Sequence, residues 1–149
     1  MMNKHLLLLF LASLVLFVGC SRKVQLGGKV TFADNGEPLT VGAIGFTDGQ
    51  FIARSEIDKE GLFQLSWLGE KDGIPKGEYK IFITGANRYE EGTVDEDKDG
   101  KLDLIAFRLI HPKYEKWQTS GLSIKVDGST KSFDIQVERP DGEKPPTKK

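Results

Sequence analysis

Apolar and polar residues alternate along several short segments of the chain. Side chains of a β-strand point alternately to its two faces, so this pattern is typical of strands with one buried face. Turn-forming residues separate the segments, and no stretch of the sequence keeps the spacing of an amphipathic helix. The alternating segments are 26–32, 63–67, 79–84, 122–127 and 133–138, with weaker ones at 41–46 and 51–57.

These segments predict an all-β fold. Each predicted strand has one apolar face, and two sheets packed face to face hide all of those faces together. We therefore expect a β-sandwich of about seven strands. Residues 1–19 form a separate N-terminal segment that is described below. The remaining residues number about 130, which is the size of one domain.

The order of short motifs along the chain carries further information. It runs G-K-V at 28–30, G-E-P-L at 36–39, D-K-E-G-L-F at 58–63 and I-P-K-G-E-Y at 74–79. This succession resembles the carboxypeptidase regulatory-like domain, which is one of the transthyretin-like (prealbumin-like) sandwiches.

This resemblance implies a seven-stranded Greek-key sandwich over residues 24–139, in which Gly36 and Gly61 occupy tight turns. The later motifs at 109–114 and 119–122 are similar to those of small lipoproteins of planctomycetes and related bacteria. The segment 85–106 is an insert relative to the family pattern, and we expect an acidic loop there.

The first nineteen residues have the organisation of a secretion signal. Lys4 precedes an apolar run at 6–18, which is thirteen residues long and too short to span a bilayer. Residues 17–20, which end in Gly19 and Cys20, resemble the bacterial lipobox. Cys20 is the single cysteine of the chain, so no intramolecular disulfide can form.

The lipobox resemblance implies that residues 1–19 are removed, that the Cys20 thiol receives a diacylglycerol, and that the new amine receives a fatty acid such as palmitate. Residues 20–23 then form a short tether. The alternatives are an ordinary cleaved signal that leaves a free thiol, and an uncleaved membrane helix. Ser21 favours the outer membrane where two membranes exist, with the domain in the periplasm. With one membrane, the domain would lie on its outer face.

Charge and composition exclude one class of partner. The formal net charge is −1, and lysine and arginine are scattered among the acids without the basic stripe that nucleic-acid binding requires. The tail at 140–149 contains no apolar residue, and we expect it to be disordered.

One short constellation has the spacing of a cation site. Residues 95–103 read D-E-D-K-D-G-K-L-D, which matches the first nine positions of an EF-hand loop. Position 12 is Ala106 where the EF-hand has a bidentate glutamate, so we expect any calcium binding to be weak. The alternative is a solvated hairpin tip. The predicted calcium ligands are Asp95, Asp97, Asp99, the carbonyl of Lys101, and Asp103.

The sequence offers little for catalysis. His111 is the one histidine beyond the signal, Cys20 is assigned to lipid, and no G-x-S-x-G elbow is present. Tyr89, Tyr114 and Trp117 could stack on sugar rings, or the last two could cap the end of the sandwich as core-edge residues.

These observations favour a lipid-anchored, non-enzymatic interaction or structural module of the cell envelope, with residues 85–117 as its working surface. One alternative is a calcium-dependent module that binds carbohydrate or protein. Another is a hydrolase built from carboxylates alone, for which a buried carboxylate pair in a cleft would be the discriminating observation.

Overall fold

A computed structural model of the chain describes residues 23–67, 69, 72–91 and 104–142. The predicted signal with Cys20, the predicted cation ligands of 95–103 and most of the tail at 140–149 lie outside these residues. In the part that the structure describes, no helix has both the length and the apolar character needed to cross a bilayer.

The described residues form nine β-strands and one short 3-10 helix. The strands are β1 (Gly27–Phe32), β2 (Ala43–Thr47), β3 (Ile52–Glu56), β4 (Leu62–Gln64), β5 (Gly77–Thr84), β6 (Asn87–Glu91), β7 (Leu104–Arg108), β8 (Ser123–Val126) and β9 (Ile135–Val137), and the 3-10 helix is Pro112–Glu115.

Seven of the strands form two sheets. The first has the order β4-β1-β9 and the second has the order β3-β2-β5-β8, while β6 and β7 form a separate hairpin. Strand β1 runs antiparallel to β4, with Gly28 opposite Phe63, and parallel to β9, with Val30 opposite Ile135. All pairs within the second sheet are antiparallel.

The two sheets enclose one apolar core. Phe46 of β2 and Phe63 of β4 meet across it with ring centroids 6.0 Å apart. Fully burying one such large apolar side chain stabilises the fold by about 1.5–3 kcal/mol. The largest fully buried side chains are Phe46, Leu26, Leu39, Ile44, Leu65, Ile74, Ile81, Ile83, Val30 and Val137.

The predicted all-β class and the β-sandwich are confirmed. Each alternating segment of the sequence overlaps a strand, and apolar positions such as Val30, Ile81 and Val137 are buried in the core, whereas Phe51 of the weaker segment 51–57 is 50% exposed. The expectation of a loop across 85–106 is wrong at both ends of that segment, because β6 and β7 pair in register from Asn87 opposite Arg108 to Glu91 opposite Leu104. Strand β6 is polar on both faces, so alternation could not reveal it.

The predicted tight turns at Gly36 and Gly61 are also confirmed, with φ angles of 72° and 80°. A Cβ on Gly61 would lie 2.7 Å from the carbonyl oxygen of Val30, so the position excludes larger residues for steric reasons as well. Asp58 fixes the same turn, because its Oδ1 accepts hydrogen bonds from the amides of Glu60 and Leu62.

Phe82 interrupts the polar face of β5, and its neighbours explain why. It lies opposite Gly45 of β2, on the outer face of the second sheet, and is only 7% exposed. Its ring occupies the space that a Cβ on Gly45 would need. The guanidinium of Arg54, which is the other cross-strand neighbour of Gly45, lies 5.9 Å from the ring centroid.

We predict that Gly45→Ala destabilises the domain by about 1–3 kcal/mol, because the added methyl overlaps the Phe82 ring. Gly69→Ala is the matched control, since a Cβ at Gly69 meets no atom within 4 Å, and surface changes of this kind stay within about 0.5 kcal/mol. Urea unfolding of both variants measures the difference. Equal stability of Gly45→Ala and the control would contradict this account of Phe82.

Candidate binding surfaces

The three aromatic residues singled out in the sequence do not converge on one site. Tyr89 lies in β6 and is 61% exposed, whereas Tyr114 lies in the 3-10 helix and is 4% exposed. The Tyr114 hydroxyl accepts a hydrogen bond from the amide of Glu138 at 3.3 Å. Because the ring is buried, neither of its faces is available to stack on a sugar. Tyr114 instead caps the end of the sandwich as a core-edge residue.

Trp117 borders a groove on the outer face of the second sheet. The groove has a volume of about 760 Å³. The ammonium group of Lys80 lies 4.9 Å from the Trp117 ring centroid, so one face of this half-buried ring is already covered. The charged residues along the groove are Asp48, Glu78, Lys80 and Lys125.

A second depression, of about 530 Å³, separates the β6–β7 hairpin from the 3-10 helix. Asn87 and Ala106 line its hairpin side. Tyr89 lies on the same face of the hairpin, because it is two residues from Asn87 and opposite Ala106. Across the depression, Arg108 Nε donates to Glu115 Oε1 at 2.7 Å. Tyr89 and Trp117 therefore border different surfaces.

The described chain begins at one end of the sandwich, which we call the tether end. It comprises the entry segment at 23–25, the β2–β3 turn at 48–51, residues 64–67 at the end of β4, the segment 72–76 and the β8–β9 turn at 127–131. Val24 pairs with Ile74 just before β1 and β5 begin. The pairs Thr47–Lys80, Val126–Gly77 and Gln64–Gly27 bring the ends of β2, β8 and β4 to the same end. The hairpin joins the sandwich at the opposite end, where β5 finishes at Thr84.

Two features of the tether end stand out chemically. One is a groove of about 630 Å³ whose lining includes Lys23, Lys76 and Lys131. The other is an aromatic pair, because Phe51 meets Trp67 edge-on with ring centroids 5.3 Å apart. Sequence reasoning missed both, since their members are distant in sequence and only the topology brings them together.

Two acidic side chains of this end accept hydrogen bonds within their own turns. Asp127 accepts hydrogen bonds from the backbone and side chains of Ser129 and Thr130, which lower its pKa to about 2. Hydrogen bonds from the amides of Phe51 and Gln50 lower the pKa of Asp48 in the same way. Both carboxylates are therefore ionised at neutral pH.

His111 has a local structural contact. Its Nδ1 accepts a hydrogen bond from the amide of Lys113 at 3.1 Å, at the start of the 3-10 helix. The buried polar side chains among the described residues are Thr47 and Ser120, neither of which is a carboxylate. Within 23–67, 69, 72–91 and 104–142, no three His, Cys, Asp or Glu residues cluster in a way that could hold a metal.

No protein-family model and no curated protein matches the chain. Among solved structures, the chain is similar to the major pilin subunit of Bacillus cereus, with a TM-score of 0.44 and 13% identity over 80% of this chain and 30% of the pilin. A variant of that pilin gives a TM-score of 0.45 and 14% identity, and the match covers 80% of this chain and 30% of the pilin. A 9R-lipoxygenase from Cyanothece gives a TM-score of 0.35 and 17% identity, and the match covers 77% of this chain and 16% of the lipoxygenase. The chain thus spans under a third of the pilin, and a likeness at this level assigns no function.

Proposed function

We propose that the protein is a lipid-anchored β-sandwich of the cell envelope that binds a partner and catalyses no reaction. In this proposal the lipid is attached to Cys20, and the sandwich is a transthyretin-like Greek-key domain of the carboxypeptidase regulatory-like type. The working surface is the β6–β7 hairpin with the 3-10 helix beside it. The membrane to which the protein is attached presents this surface to the envelope space.

The placement of the two ends supports the proposal most directly. The chain enters the sandwich at Lys23, three residues after Cys20 in the sequence. The hairpin begins where β5 finishes, at the opposite end of the sandwich. Strand β5 has eight residues and therefore separates the two ends by roughly 25 Å. An anchor at Cys20 would leave the hairpin base well away from the lipid surface.

The exposed side chains of the hairpin suit a binding surface. Tyr89 is 61% exposed and Ile105 is 49% exposed. Among the described residues, β6 and β7 pair only with each other, so each has an edge with free backbone donors and acceptors. Such edges and exposed apolar side chains are the features that strand addition by a partner uses.

We predict that Cys20→Ala leaves an unprocessed precursor that carries no lipid, because the modifying and cleaving enzymes require the thiol. Mass spectrometry of the intact protein and incorporation of labelled palmitate measure the two effects. Ser21→Ala is the matched control and should be acylated and cleaved normally. Normal processing of the Cys20→Ala variant would refute lipidation.

The structure of the hairpin also bears on the calcium-dependent alternative. Residues 92–103 connect two strands whose last pair is Glu91 opposite Leu104. This pairing holds the ends of the connection close together. Because the ends are already held together, the loop loses less conformational entropy when a bound ion draws alternate carboxylates together. We propose calcium at this loop as a second candidate function, in which the ion orders the working surface.

For this alternative we predict that about 5 mM calcium stabilises the mature protein in mild detergent by about 1–2 kcal/mol, which is the effect of a site in the weak extracellular range. Asp97→Ala should abolish the rise in Tm. Glu60→Ala, which removes an exposed acid from a different turn, should retain it. The absence of any shift in the wild-type protein would exclude the site.

A further inference from the structure

We propose that the tether end of the sandwich is a membrane-docking surface that binds anionic phospholipid headgroups of the bilayer in which the N-terminal lipid is inserted. This inference rests on the proposed acylation of Cys20. It goes beyond that proposal, because anchoring alone would allow the domain to tumble on its tether. Docking would instead fix one end of the sandwich on the lipid surface.

The length of chain between the lipid and the domain is the first argument. Three residue steps separate Cys20 from Lys23, and an extended chain spans at most about 10 Å over that distance. Lys23 is part of the described structure, and Val24 already pairs with Ile74. Any surface near Lys23 is therefore within one headgroup layer of the bilayer that holds the lipid.

The aromatic pair is the second argument. The ammonium group of Lys23 lies 4.9 Å from the Trp67 ring centroid, which places Trp67 directly beside the tether. Phe51 contacts the same ring and is 50% exposed. Aromatic side chains with neighbouring lysines are enriched at the interface between lipid and water, where the rings reach the headgroup level and the ammonium groups stay hydrated.

The basic groove is the third argument. Lys76 and Lys131 line it together with Lys23, and among the described residues that line it none is acidic. In the described part of the chain, neither Lys76 nor Lys131 forms an ion pair. Gln25 and Gln64 also line the groove. This set of cations fits a phosphate diester headgroup.

Of the nearby acids, Asp72 offsets the charge of Lys23, whereas Lys76 and Lys131 form no ion pair with any described acid. The carboxylate of Asp72 binds Lys23 and the amide of Trp67, and those of Asp48 and Asp127 are held in their own turns. The groove on the second sheet differs, because Asp48 and Glu78 line it together with its lysines. That groove provides a control, because two of its lysines, Lys80 and Lys125, can be changed in the same way as Lys76 and Lys131.

Tethering makes even weak headgroup contacts sufficient. A short linker raises the effective concentration of the domain at the surface into the millimolar range or above. Each lysine close to an anionic membrane strengthens binding by about fivefold. Lys76 and Lys131, together with the aromatic pair, therefore suffice to hold a domain that cannot diffuse away.

The two tryptophans of the chain allow a direct test, since Trp67 lies at the tether end and Trp117 on the sheet face. The mature acylated protein is reconstituted into phosphatidylcholine vesicles with and without phosphatidylglycerol, using lipids brominated near the headgroup. Trp117→Phe isolates the emission of Trp67, and subtracting that emission from the wild-type emission gives the emission of Trp117 while the docking aromatics stay intact. We expect loss of Trp67 emission in the anionic vesicles and little loss of Trp117 emission.

Paired lysine variants test the groove. Lys76→Gln with Lys131→Gln should reduce the quenching of Trp67 in anionic vesicles, and added salt should do the same. Lys80→Gln with Lys125→Gln removes the same charge from the other groove and should leave the quenching unchanged. Equal effects of the two pairs, or quenching that is independent of lipid charge, would overturn the assignment to anionic headgroups.

Flotation of the vesicles separates the two proposals. Protein that floats with the vesicles but shows equal quenching of both tryptophans would overturn docking and leave the lipid anchor in place. Protein that fails to float and carries no acyl chain would overturn both. If Trp67 emission changes with the number of protein molecules per vesicle and not with the lipid composition, the surface binds a second copy of the chain. That result would also overturn the proposal.

Discussion

The structure depends on one constraint, which is that the apolar faces of two sheets can be hidden only against each other. Leu26, Val30, Ile44, Phe46 and Ile81 are fully buried between the sheets, and exposing any of them to water would cost about 1.5–3 kcal/mol. The chain must therefore cross between the sheets repeatedly, as it does from β1 to β2, from β3 to β4, from β4 to β5 and from β8 to β9. Those crossings determine which turns share an end of the sandwich.

The functional proposals follow from that arrangement. The parallel pairing of β1 with β9 brings the β8–β9 turn beside the entry of the chain, and the pairing of Val24 with Ile74 brings the start of β5 to the same place. Lys76 and Lys131, which are more than fifty residues apart in sequence, thereby line one groove with Lys23. The hairpin is joined at the other end. The fold thus separates a basic, aromatic end from an exposed hairpin.

The β-sandwich could be predicted from the sequence, but the surfaces that the sandwich presents could not. The alternation around Ile81 and Val137 predicts strands because one face of each is apolar, whereas β6 is polar on both faces and carries no such signal. The burial of Tyr114 depends on the 3-10 helix packing on the core, and the burial of Phe82 depends on its cross-strand neighbour Gly45. Contacts between distant segments cannot be read from local periodicity, which is why the tether-end groove was not predicted. The family resemblance, the lipid and the calcium loop stay predictions.

The central claim is that the two ends of the domain face different environments, and the depth of a spin label measures this directly. In the acylated protein the Cys20 thiol is blocked, so a nitroxide can be placed at Gln50→Cys on the tether end or at Thr40→Cys on the opposite end, both of which are exposed. In anionic vesicles, the account predicts that dissolved oxygen from the lipid phase relaxes the label at position 50, whereas a water-soluble relaxing agent dominates at position 40. Equal accessibility of both labels to the aqueous agent would contradict it.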